Sequence, residues 1–173
     1  IEDRVIICDS VSKRYSACGA RIGCVCSKNK DFMSTIMKFA QARLCAPTIE
    51  MIGAAALINT TKEYFQKVQQ EYQKRRDIVY NALLNIPNVV CEKPMGAFYV
   101  VAKLPIDDAE NFAKWMLTDF NVNNATTMVA PAAGFYATPG LGKDEVRLAY
   151  ILKEEDLTAA MDILAKGIEA YNN

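Results

Sequence analysis

The sequence runs to 173 residues, sets 20 Lys and Arg against 20 Asp and Glu, is 51% hydrophobic and contains no histidine. Balanced charge gives no basic excess with which to release counterions from a polyphosphate or to meet an anionic lipid surface, so neither nucleic acid nor membrane is an expected partner. The lack of histidine removes Ser-His-Asp and Cys-His catalysis and the HExxH zinc pattern, which leaves proton chemistry to Lys, Tyr, Cys or carboxylates.

Ile1-Glu2-Asp3-Arg4 opens without an initiator Met or a signal pattern, which reads as an amino end cut from a longer, cytoplasmic protein. Val5-Ile6-Ile7-Cys8 is a continuous apolar run closed by Asp9-Ser10, as expected of a strand buried on both faces in a parallel sheet, and Ile22-Gly23-Cys24-Val25-Cys26 is a second. Helical spacing begins at Asp31 and ends before Pro47, and a further long helix, continuous or bent, runs from Thr48 toward Ile86. A coiled coil competes for that stretch, but Arg75 interrupts the second apolar stripe. Strands are expected at Val89–Cys91, Gly96–Val101, Thr127–Ala130 and Val146–Ile151, with helices from Asp108 to Phe120 and from Lys153 onward. Asp107 or Asp108 should cap the first of these helices, and Leu157, Met161, Leu164 and Ile168 line one face of the second. The long loop Pro131–Asp144 should cover something.

Six cysteines, at 8, 18, 24, 26, 45 and 91, include no C-x-x-C pair, so buried reduced thiols are expected and a metal site is not. The longest apolar stretch, Met51–Ile58, is too short to span a bilayer.

The stretch from Asp9 to Gly23 places Ser10, Ser12, Lys13 and Arg21 between two apolar strands. A lysine at a strand end can be held against apolar walls that disfavour its charged form, which makes it a nucleophilic amine. The two hydroxyls and the arginine's planar fork of donors suit a phosphate. An isolated Ser-x-Ser-Lys would more often be plain surface. Farther on, Arg147 interrupts an apolar strand, a position that asks either for an anionic ligand or for an internal salt bridge.

Ser10-Val11-Ser12-Lys13 followed by Gly19-Ala20-Arg21-Ile22-Gly23 resembles the cofactor-lysine signature of the class I and II aminotransferases, enzymes of fold type I that use pyridoxal 5′-phosphate. Pro94-Met95-Gly96-Ala97-Phe98-Tyr99 is similar to that family's Pro-x-Gly-Ala-Phe-Tyr turn, and Val146-Arg147-Leu148-Ala149-Tyr150 to its Val-Arg-Leu-Ser-Tyr strand. The resemblance implies Lys13 as the catalytic Schiff-base lysine, Arg21 with Ser10 and Ser12 as phosphate ligands, and Arg147 as the substrate-carboxylate arginine. Two departures, Pro131-Ala132-Ala133-Gly134-Phe135 for Pro-Gly-x-x-Phe and Ala20 before the phosphate arginine, bear on substrate fit. Tyr15 and Phe98 carry the family's aromatic character but read equally well as core.

The fold so implied is α/β: residues 1–75 as the carboxyl-terminal part of the large, cofactor-binding domain plus the connecting helix, and 76–173 as an α+β small domain with helices on a mainly antiparallel sheet, the boundary lying within residues 70–88. The activity implied is transamination between an L-amino acid, aspartate by default, and a 2-oxo acid, in a homodimer of a longer parent, the fragment itself being inactive. A transcriptional regulator's effector-sensing domain of the same family, or a C–S lyase using the same cofactor, would share these motifs.

Overall fold

The computed structural model describes residues 1–173, and the chain divides into two compact units, Ile1–Tyr64 and Phe65–Asn173. In the first, β1 (Ile6–Ser10) pairs with β2 (Gly23–Ser27) in the antiparallel register Ile6↔Ser27 through Ser10↔Gly23. The expectation of a parallel sheet buried on both faces is not met. A parallel partner would need a crossover long enough to return the chain to the starting edge, usually through a full helix. Residues 11–22 are spent instead on a single helical turn, α1 (Val11–Arg14), and a 3-10 turn at Cys18–Ala20. The elements that touch this two-stranded ribbon do not cover it, and Ile6, Ile7 and Val25 are exposed. For the same reason the expectation of buried thiols fails: Cys8, Cys18, Cys24, Cys26 and Cys45 are exposed, and Cys91, in the second unit, is half-buried.

Helix α2 (Lys30–Arg43) starts where Asn29 Oδ1 accepts from the Phe32 N–H at 2.9 Å, an N-cap bond. After Pro47 comes α3 (Thr48–Ala55), then a 3-10 turn at Ala56–Asn59, and α4 (Lys62–Leu84) begins anew. The single helix expected from Thr48 toward Ile86 is therefore two. Thr60 is extended (φ −65°, ψ 128°), and beyond it a hydrogen bond from the Glu63 backbone, then one from the Thr61 side chain, holds the Glu63 carboxyl below the usual carboxylate range. Polar β-branched residues there favour a cap over helix interior. The units divide at Tyr64 and Phe65, in the first turn of α4, nearer its start than the sequence placed the division.

The second unit holds every buried residue of the chain. Its sheet has the order β3-β4-β6-β5, with β3 (Val90–Cys91), β4 (Tyr99–Lys103), β5 (Ala130–Pro131) and β6 (Glu145–Ala149), all neighbours antiparallel. Alternation sends Val100 and Ala102 of β4 and, directly across, Leu148 and Val146 of β6 into the core. They meet Val79 and Leu83 of α4, Phe112 and Met116 of α5 (Ala109–Thr118), and Leu157, Met161, Leu164 and Ile168 of α6 (Glu154–Tyr171), the face foreseen in the sequence. Each of the Val, Leu, Ile, Phe and Met side chains contributes about 1.5–3 kcal/mol by leaving water. Asp108 is the cap of α5, its Oδ1 accepting from the Glu110 and Asn111 N–H groups at 2.9 and 3.1 Å. A Cβ on Gly167 would stand 2.4 Å from Met116 Sδ, so a glycine lets α6 come this close to α5. The strand expected over Thr127–Ala130 shrinks to Ala130–Pro131, because Thr127 turns toward α6 and donates its hydroxyl to the Ala160 carbonyl at 2.7 Å. No helix is long and apolar enough to cross a membrane.

Candidate functional site

Four of the five candidate residues stand at one end of the β1–β2 ribbon. Ser10 closes β1 opposite Gly23, and the pairing is tight: a Cβ on Gly23 would lie 2.8 Å from the Asp9 carbonyl oxygen, which explains the glycine. Gly19, by contrast, has open space around it, so close approach does not explain that glycine. Ser10 is also the N-cap of α1, its Oγ accepting from the Ser12 N–H at 3.3 Å, while the Val11 N–H reaches back to the Ile22 carbonyl at 3.2 Å. Lys13 therefore sits one turn into a short helix whose start is pinned to the residue just after Arg21. Arg21 itself has left-handed backbone (φ 55°, ψ 38°) and its Nη1 donates to the Cys18 carbonyl at 2.9 Å, which orients the guanidinium. Beside them is a shallow depression lined by Cys8, Asp9, Ser10, Lys13 and Arg14. Asp9 is engaged: its carboxylate pairs with Arg14 at 2.8 Å and accepts from the Ser10 N–H at 2.8 Å.

The fifth candidate belongs to the second unit. Arg147 lies on β6 between the core residues Val146 and Leu148, so its side chain takes the opposite face of the sheet. No ion pair of the chain includes it, and the internal salt bridge that the sequence left open is not formed. Its guanidinium carbon lies 4.5 Å from the Tyr99 ring centre and 4.4 Å from that of Phe135. Such cation–π contacts are favourable and fix the plane of the fork while leaving its N–H edges to a ligand. The Pro94–Tyr99 turn feeds Tyr99 into this position. Its strained residue is Ala97, at φ 55°, whose carbonyl accepts from the Tyr150 hydroxyl at 3.4 Å, and Phe98 stacks on Tyr72 with centroids 5.6 Å apart. Burial raises the Tyr150 hydroxyl's pKa, with the positive charge of Arg76 acting against it.

Sequence reasoning did not find the role of Phe135, which it noted only within a departing loop, nor that of Tyr136 and Glu145, whose side chains hydrogen-bond to each other next to Arg147. The available signal was the spacing Glu145-x-Arg147, which puts both side chains on one face of a strand. No group of three or more Cys, Asp or Glu side chains is placed to hold a metal ion.

Comparison with known proteins gives one answer throughout. The aspartate aminotransferase of Musicola paradisiaca (strain Ech703) is 32% identical over 98% of this chain and 41% of its own length. Among solved structures, the alanine aminotransferase of Pyrococcus furiosus superposes with a TM-score of 0.79 at 28% identity, covering 96% of this chain and 42% of that one. An aspartate aminotransferase of Rhodobacter sphaeroides 2.4.1 reaches a TM-score of 0.87 at 19% identity, covering 100% and 43%, a likeness of fold. The chain thus spans about two fifths of the length of the relatives it matches. The family model described as aminotransferase class I and II matches residues 1–164, and the chain belongs to that family.

Proposed function

We propose that this chain supplies the lysine-bearing and carboxylate-binding parts of a pyridoxal-phosphate-dependent aminotransferase that moves an amino group between an L-amino acid, with aspartate as the default substrate, and a 2-oxo acid. The observation that carries the reading is the placement of Ser10, Ser12, Lys13 and Arg21 in the short connection at one end of a two-stranded ribbon. Membership of the family supports it.

The donor set fits the cofactor: an amine for its aldehyde, and two hydroxyls with a guanidinium for its phosphate. Lys13 would hold it covalently through Nζ. Arg21 would take the phosphate with Ser10 and Ser12, Ser10 still having its own O–H to donate while its oxygen caps α1. When bound, pyridoxal phosphate supplies the electron sink that makes a carbanion at the substrate's Cα accessible. With its amine uncharged, Lys13 Nζ would act as general base on the substrate's Cα proton. Arg147 orients the substrate through its α-carboxylate, with its fork in the plane set by two rings. The reading extends to a cytoplasmic homodimer in the complete protein, supported by the family resemblance and by six cysteines that form no disulfide. The 173-residue chain alone is expected to be inactive.

The test uses the complete protein, aspartate and 2-oxoglutarate. Lys13→Ala should lower the transamination rate by roughly 10³-fold or more. Borohydride reduction with pyridoxal phosphate should leave a mass adduct on Lys13 and on no other residue. A variant that keeps its activity, or an adduct elsewhere, would sink the assignment.

A further inference from the structure

Phe135 lies over the Arg147 guanidinium although it is itself 57% exposed and the core gives it no seat. Something else must place it. The chain leaves β5 at Pro131, and a 3-10 turn at Ala133–Phe135 is tied back by the Ala132 N–H to the Glu145 carbonyl (2.9 Å) and the Phe135 N–H to the Ala132 carbonyl (2.9 Å). The next residue, Tyr136, donates its hydroxyl to Glu145 Oε2. Glu145 and Arg147 are two apart on β6 and share the sheet face away from the core. The Tyr136 ring can lie down on this turn only because residue 142 is glycine: a Cβ there would be 2.5 Å from the ring, and the backbone is left-handed at φ 72°.

The structure assigns to the Tyr136–Glu145 hydrogen bond the task of a latch that holds Phe135 as the second wall of a slot around Arg147, and so makes the arginine selective for planar over tetrahedral anions. This deepens the reading of Arg147 as a carboxylate-binding residue and rests on it. Tyr99 comes from β4 and Phe135 from beyond β5, the strands on either side of β6, so the two rings bracket the guanidinium. An anion must then approach along the plane of the fork. A carboxylate has two oxygens in one plane and can take two parallel N–H bonds. A sulfonate's third oxygen leaves that plane and runs into a ring edge. Phe135 touches the arginine; Tyr136 and Glu145 are positioning residues that act through it.

The experiment is an NMR titration of the Arg147 Nε–H signal in the complete protein, assigned by its loss in Arg147→Lys, with propionate and ethanesulfonate as the two probes. Wild type should bind propionate about fivefold or more tightly than ethanesulfonate. Tyr136→Phe and Phe135→Ala should bring the ratio toward one, while Glu145→Gln, which retains an acceptor for the Tyr136 hydroxyl, and Phe135→Leu, which retains a wall, should keep most of it. Amide spectra that match wild type show that each variant is folded. A wild-type ratio near one, or a preference that survives either Tyr136→Phe or Phe135→Ala, would overturn the latch and leave the carboxylate role of Arg147 intact. A signal moved by neither anion would overturn both.

Discussion

The β1–β2 ribbon and the four-stranded sheet are built from similar apolar residues, yet the ribbon buries none of them and the sheet buries those of its two central strands that face its helices. Ile6, Ile7 and Val25 are as hydrophobic as Val100, Val146 and Leu148. The difference is the second layer: α4, α5 and α6 supply a helical partner for one face of the sheet, whereas the ribbon's faces are open within these residues. An apolar run therefore tells which surface asks to be covered, and only packing tells whether it is.

The widest gap between the two regions should appear in core truncation. Phe112→Ala in the second unit, where the side chain is 0% exposed, should cost about 3–5 kcal/mol in urea unfolding, whereas Ile52→Ala on α3 of the first unit, 70% exposed, should fall within about 0.5 kcal/mol of wild type. Similar costs at both positions would erase the contrast. The ribbon's own weak point is the contact of Gly23 with the Asp9 carbonyl: Gly23→Ala should destabilise β1–β2 by about 1–3 kcal/mol, read as faster amide exchange at Val11, whose N–H bond to Ile22 follows that register. In the second unit Asp108→Ala removes the acceptor for two helix N–H groups and should cost about 1 kcal/mol, with Asp108→Asn close to neutral.

The smallest effect is a pH dependence. Hydrogen bonds from Arg76 and then Lys93 hold the Asp77 carboxyl below its usual pKa of 3.8. A depressed folded-state value contributes stability that is present above the unfolded pKa and is lost as pH falls through the folded one. Unfolding midpoints should thus decline below about pH 4, and Asp77→Asn should flatten the part of that decline due to this group.

Much of the second unit could be read before any coordinates. The face of α6, the Asp108 cap and an arginine set in an apolar strand all follow from local period and residue chemistry, which a short window of sequence contains. The break at Thr60, the shortening of the strand before Pro131 and the exposure of five cysteines depend on partners distant in sequence or lacking within these residues. The candidate site divides the same way. Ser10, Ser12, Lys13, Arg21 and Arg147 could be named as candidates because their motifs resemble the family's, whereas the ring of Phe135 over Arg147 depends on how a loop of roughly fourteen residues folds back, which no periodicity encodes.

One feature of the sheet governs how this protein would meet copies of itself. Both its edges are strands of two residues, Val90–Cys91 and Ala130–Pro131, and the second ends in a proline with no N–H to offer. Edges so short cannot template another strand, while the ribbon offers five-residue strands with apolar side chains on display. Within these 173 residues the ribbon is thus the place open to a further strand, and the four-stranded sheet is closed to one at both edges.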